Sequence, residues 1–143
     1  MLAQEIDFHE IFKVNSTAML LLTADLVIVD ANDEFLSAVG RPIDDLIGHH
    51  IFEKFPKMPQ DPGGEPKWTA LEEASASGQR EVRELTRYDV EDPARPGVYE
   101  ERYWSVVVTP IHALDGQIEV LELSLRELTP VITQFRALRA EEG

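Results

Sequence analysis

Leu26-Val27-Ile28-Val29-Asp30-Ala31-Asn32-Asp33-Glu34-Phe35 is the stretch whose reading decides the architecture. Leu26-Val27-Ile28-Val29 is apolar and mostly β-branched, which reads as a strand. Asn32 is a favoured helix N-cap, and Phe35, Leu36 and Val39 then recur at helical spacing up to Gly40. A strand therefore runs straight into a helix. Upstream, Met19-Leu20-Leu21-Leu22 reads as a second buried strand, and Thr23-Ala24-Asp25 leaves room only for a tight link. The two strands form an antiparallel hairpin.

Outward from this unit the pattern continues in short elements. Asp7-Phe8-His9-Glu10 resembles a capping box with an acidic N-cap, so an amphipathic helix is expected over 7–14. Pro42 opens a short helical segment that Gly48 stops, and Ile51, Phe52 and Phe55 make one more turn before Pro56. The stretch from Pro56 to Pro66 reads as a loop. Lys67–Ser77 reads as a helix with Trp68, Leu71 and Ala74 on one side. The period then changes to two. Val82, Glu84, Thr86, Tyr88 and Val90 share one strand face, with Glu81, Arg83, Leu85 and Arg87 on the other. Tyr99 to Ile111 is a long aromatic and β-branched strand, Asp115-Gly116 is a hairpin turn, and Gln117 to Glu127 returns. Thr129-Pro130 starts a last helix, with Val131, Ile132, Phe135 and Leu138 on one face.

A two-stranded hairpin is not stable alone, so the first two strands must join the last three. The expected fold is α+β: a five-stranded antiparallel sheet with short helices on one face, flanked by terminal helices. The expected division is an N-terminal helix over 1–16, a core over 17–128 and a C-terminal helix over 129–143.

Composition narrows the function. The chain has 143 residues, the size of one domain, and no cysteine, which removes disulfides, thiolate metal sites and cysteine nucleophiles. This suits a reducing cytoplasm. Thirteen basic residues against 27 acidic ones give a formal charge of −14, which repels phosphate backbones and anionic lipid, so neither nucleic acid nor membrane is the expected partner. No apolar run approaches the length needed to span a bilayer.

Three stretches resemble the PAS domain family, in order along the chain. The first is the Leu26–Phe35 strand-to-helix unit. The second is Asp45-Leu46-Ile47-Gly48-His49-His50-Ile51-Phe52-Glu53-Lys54-Phe55-Pro56. The third runs from Tyr99-Glu100-Glu101-Arg102-Tyr103-Trp104-Ser105 to Thr109-Pro110, followed by the strand that leaves Asp115-Gly116. The resemblance is to modules of bacterial signalling proteins with histidine kinase or phosphatase outputs. It implies a sensor that binds a small molecule or partner and passes a change to an output domain. Two positions depart from the family. The exit reads Glu127-Leu128-Thr129 without the usual Asp, and Val108 stands where relatives often carry Asn, which makes the interior drier.

Catalytic chemistry finds little support. Nucleophile-elbow and phosphate-loop glycine patterns are missing. Glu72-Glu73, Asp44-Asp45 and Glu100-Glu101 are most simply surface charge. His49-His50 is the one pair that invites a metal, but adjacent helical residues point about 100° apart, and one exposed and one partly packed imidazole is the simpler reading. Haem-binding relatives take their ligand from the helix that here is Lys67–Ser77, which has no histidine. Cysteine-adduct flavin chemistry is excluded by composition. No metal and no catalytic residue are therefore assigned, and the cofactor is left open.

The expected cavity lining is Leu22, Val29, Phe35, Phe52, Trp68, Leu71, Tyr88, Trp104 and Val106. Strand alternation sends Tyr103 and Trp104 to opposite faces, with Trp104 inward alongside Val106 and Val108. Phe8, Ile11 and Phe12 and the stripe Val131, Ile132 and Phe135 are too short to be stable alone. They are expected to build a homodimer that carries the signal. The alternative is a ligand-free interaction or dimerisation module.

Overall fold

A computed structural model describes residues 5–56 and 65–142, with the backbone alone for 65–68 and 142. The elements are α1 (Phe8–Val14), β1 (Ala18–Leu22), β2 (Ile28–Ala31), α2 (Asp33–Val39), a 3-10 turn at Ile43–Asp45, α3 (Ile51–Lys54), α4 (Glu65–Ser77), β3 (Glu81–Arg87), β4 (Val90–Glu91), β5 (Tyr99–Glu100), β6 (Tyr103–His112), β7 (Ile118–Glu127) and α5 (Thr129–Glu142). The main sheet has the order β2-β1-β7-β6-β3, antiparallel throughout, and β4 and β5 form a separate two-stranded ribbon. This is the five-stranded α+β architecture expected from the sequence.

Alternation along the strands sets the core. Leu20 and Leu22 of β1 lie opposite Leu123 and Leu121 of β7, and Val106 and Val108 of β6 lie opposite Leu125 and Leu123. Cross-strand partners share a face, so these residues form one apolar sheet surface. Phe35 and Val39 of α2, Leu46, Ile51, and Leu71 and Ala74 of α4 pack on it, all buried. The other face of the sheet carries Met19, Leu21, Ser124 and Val107, all partly exposed.

The strand expected over Tyr99–Ile111 is split into β5 and β6, the one expected to include Val90 ends at Arg87 with Val90 in β4, and two further segments differ from the sequence reading. The strand expected at 26–29 pairs instead over Ile28–Ala31. Leu26 sits in the turn with φ 67°, a left-handed conformation that costs a non-glycine residue about 1–2 kcal/mol. Burial of its side chain and the Leu26 N–H bond to Thr23 C=O offset that cost. In β3 the pairing slips between Arg83 and Thr86. This bulge reverses the alternation. Val82 therefore faces outward and Thr86 inward, although both were expected on one face. Glu81 and Arg83 turn towards α4, where Arg83 Nη2 meets Glu73 Oε2 at 3.0 Å.

Asn32 shows how sequence and fold connect. Its side chain is fully buried, and Oδ1 accepts from Phe35 N–H at 3.0 Å, capping α2. The same oxygen accepts from Met19 N–H at 2.9 Å, and Nδ2 donates to Thr17 O at 2.8 Å. One amide thus ties the start of α2 to the neighbouring strand β1.

Candidate functional site

A cavity of about 400 Å³ opens where α2 ends, between the 3-10 turn, α3, the ends of β3 and β6, and the β4–β5 ribbon. Gly40 makes the corner. Its φ of 66° ends α2, and a Cβ there would lie 3.2 Å from Pro93 of the ribbon loop, so a side chain would both strain the left-handed backbone and crowd the ribbon. Arg41 follows immediately, with its guanidinium 5.1 Å from the Phe55 ring centroid. Asp45 of the 3-10 turn pairs with Arg41 at 3.5 Å and with Lys54 of α3 at 3.3 Å. His50 starts α3 by accepting the Phe52 N–H on Nδ1 at 3.1 Å.

The floor is aromatic. Tyr88 and Trp104 are buried and line the cavity with Val90 and Leu125. Trp104 Nε1 donates to Tyr88 O at 2.9 Å, and Tyr88 Oη donates to Pro56 O at 2.8 Å. Their polar ends are thereby held by the chain, and their ring faces shape the hollow. Beside them Arg87 clamps Asp89 through both carboxylate oxygens at 3.1 Å. That contact raises the guanidinium's already high pKa. Thr86, opposite Trp104 in the ladder, is 2% exposed, and its hydroxyl finds no hydrogen-bond partner among the described residues. A second, more open hollow of about 590 Å³ lies on the other side of Trp104 and Leu125. Arg102 on its wall is already engaged by Glu127 and Glu100, at 3.1 and 2.7 Å.

The expected lining residues separate into groups. Tyr88 and Trp104 border the cavity. Leu22, Phe35, Leu71 and Val106 are closed core. Phe52 is half-buried against the His50 ring, 5.0 Å away. Val29 is a correction: it is 46% exposed, because the β-bulge between β1 and β2 leaves Ile28 as the inward residue. The Trp68 side chain and the loop over 57–64 lie outside the described residues. Arg41, Asp45, Lys54 and Phe55 were not anticipated as neighbours. Nothing in their spacing signals it, since the 3-10 turn and the His50-capped helix bring them together.

Where β6 and β7 hand over to α5, a second cluster forms. Leu128 N–H donates to Tyr103 O at 2.7 Å, and Tyr103 N–H donates to Thr129 Oγ1 at 2.9 Å. The Thr129 hydroxyl thus accepts from β6. Arg136 of α5 reaches back to Glu101 at 2.7 Å and to Tyr103 Oη at 2.8 Å, with its guanidinium 5.3 Å from the Tyr103 ring centroid. These hydrogen bonds from Arg136 and Tyr103 hold the Glu101 carboxyl below its ordinary pKa. The exit residue Glu127 keeps an ion pair, with Arg102, although the family's usual Asp is absent. The stripes expected to dimerise are open: Phe8, Ile11, Val131 and Phe135 are exposed, and Phe12 and Ile132 half-buried. His9 of α1 bonds Asp30 at 3.2 Å, placing α1 beside edge strand β2. His49 and His50 are both half-buried, with His49 Nδ1 3.2 Å from Glu53. Among the described residues no group of three or more His, Cys, Asp or Glu side chains is placed to hold a metal.

A five-stranded antiparallel sheet with helices packed on one face and α5 leaving central strand β7 defines an α+β class of fold. The PAS fold family model matches residues 14–132, and the chain belongs to that family of sensory and signalling modules. Solved structures agree in fold. The PAS domain of nitrogen regulation protein NR(II) from Vibrio parahaemolyticus is 17% identical, with TM-score 0.61 over 82% of this chain and 94% of that one. A sensory box sensor histidine kinase from Vibrio cholerae is 24% identical, with TM-score 0.56 over 84% and 87%. An RNA-binding Light-Oxygen-Voltage receptor gives TM-score 0.71 at 16% identity, over 94% of this chain and 36% of that one. No curated protein is significantly similar to the chain in sequence. No helix among the described residues is long and apolar enough to cross a membrane.

Proposed function

We propose that the chain is a non-catalytic sensor: a small molecule in the cavity biases the sheet, and α5 passes the change to an output domain such as a histidine kinase or phosphatase. The observation that carries this is the adjacency of Trp104 and Tyr103. Trp104 faces the cavity, while Tyr103, the next residue, bonds the start of α5 through both backbone groups. A ligand that moves the indole also moves the peptide that holds α5. The sensor histidine kinase among the structural neighbours supports an output of that kind. A chain without cysteine suits the cytoplasm.

The exposed stripes on α1 and α5 favour a homodimer as the signalling unit, with Phe8, Ile11 and Phe12 and Val131, Ile132 and Phe135 at the contact. They are also what a ligand-free dimerisation module would present. Extraction of the purified protein and mass spectrometry separates the two readings. A stoichiometric co-purified compound supports sensing, and repeated absence from protein expressed in different hosts favours the interaction module.

A further inference from the structure

A chain of alternating charges runs from the cavity to α5. Asp89 lines the cavity, and its Oδ1 accepts the Arg102 N–H at 3.3 Å. Arg87 holds it with a fork: Nε donates to Oδ1 and Nη2 to Oδ2, both at 3.1 Å. The same Nη2 reaches Glu101 Oε1 at 3.3 Å. The other oxygen of Glu101, Oε2, accepts from Arg136 of α5 at 2.7 Å and from Tyr103 Oη at 2.9 Å. Arg87 thus stands between two carboxylates, and Glu101 between two guanidinia. The division is uneven. A guanidinium matches a carboxylate best as a fork on both oxygens. Arg87 makes that fork with Asp89, the less exposed of its two partners at 20% against 41%, and leaves one oxygen of Glu101 to α5.

We propose that Asp89 is a positioning residue for α5: its hold on Arg87 keeps that guanidinium from forking Glu101, and so reserves Glu101 for Arg136. This rests on the reading of the cavity as the sensory pocket and of α5 as the outgoing helix. A bound molecule that draws Asp89 away turns Arg87 onto both oxygens of Glu101. Arg136 then loses its carboxylate, and α5 loses its second attachment. The two guanidinia compete for Glu101 rather than add to each other, and this gives the chain a direction. Loss of charge at the cavity end loosens the helix.

Hydrogen exchange measured by mass spectrometry at neutral pH tests this on wild type, Asp89→Asn and the double variant Asp89→Asn/Arg87→Gln. Asparagine keeps an acceptor for the Arg102 N–H and removes the charge. Protection over 131–138 is expected to fall about threefold to fivefold in Asp89→Asn, the scale of one exposed ion pair. Removing the freed competitor is expected to bring it back to within about twofold of wild type in the double variant. Protection of β6 and β7 in each variant serves as the folding control. Unchanged protection of α5 in Asp89→Asn would overturn the proposal. So would a double variant whose α5 is as open as in the single one or more so, since that is the result of ions that merely add. Neither result needs a bound compound, so an empty pocket on extraction counts against the sensory reading and leaves the competition standing.

Discussion

Asn32 and Thr86 are the two buried polar side chains among the described residues, and the core depends on them in opposite ways. Asn32 meets Met19, Phe35 and Thr17, so Asn32→Ala removes a cap and strands buried backbone groups at once. A loss of about 3 kcal/mol is expected in chemical denaturation, and one below about 1 kcal/mol would mean water replaces the amide. Thr86 is the reverse case. Its hydroxyl has no partner among the described residues, so Thr86→Val keeps the shape and removes a buried polar atom. The variant is expected to be neutral or more stable by up to about 1 kcal/mol. A loss beyond about 1 kcal/mol would show that the hydroxyl is bonded in solution. The cap role of Asn32 was legible in the sequence, because Asn before a helical apolar period is a local signal. Its bonds to Met19 and Thr17, 13 and 15 residues back, are properties of the packed hairpin. Thr86 was assigned the correct neighbour, Tyr88, but the wrong partner face with Val82, since a bulge leaves no mark in a period-two pattern.

Helix α5 is mostly exposed, yet specific contacts attach it. It is held at its start by Tyr103 and two turns later by Arg136 on Glu101. The Glu101 pKa lies below its ordinary value in the folded chain. A depressed carboxyl contributes stability that is present above its unfolded pKa and is lost as pH falls through the folded value. The clamp is therefore intact at neutral pH and releases only below the ordinary carboxylate range near 4.5. Amide exchange over 131–138, corrected for the fall of the intrinsic rate with pH, is expected to lose protection on acidification in wild type. It is expected to be fast already at neutral pH in Glu101→Gln. Exchange in Glu101→Gln that matches wild type would remove the clamp. The existence of every helix and strand of the sheet was readable from periodicity and turn residues. The shift of β2 by two residues was not, because Leu26 in a left-handed turn goes against the local preference of a branched apolar run.

At the scale of the molecule, the membership of the sheet followed from one constraint: the first hairpin needs partners and only the last three strands remain. The cavity did not follow. It is built by Gly40, Pro93 and the Arg41–Asp45–Lys54 cluster, which come together only once α2, the 3-10 turn and the ribbon are placed. The apolar stripes of α1 and α5 were legible, and in one copy of the chain they face solvent. Sedimentation at micromolar concentration is expected to give a dimer for wild type and monomers for Phe8→Glu and Phe135→Glu. A monomeric wild type, or a dimer that survives both substitutions, would exclude this interface. The relay from cavity to α5 is the central claim, and it can be tested without knowing the ligand. Val90→Phe fills the cavity from the ribbon side, where Val90 lines it. Hydrogen exchange measured by mass spectrometry on wild type and Val90→Phe compares α5 with the distant β1–β2 hairpin. The expected result is altered protection over 129–136 with the hairpin unchanged, whereas unaltered protection in α5 of a folded Val90→Phe protein would contradict the relay.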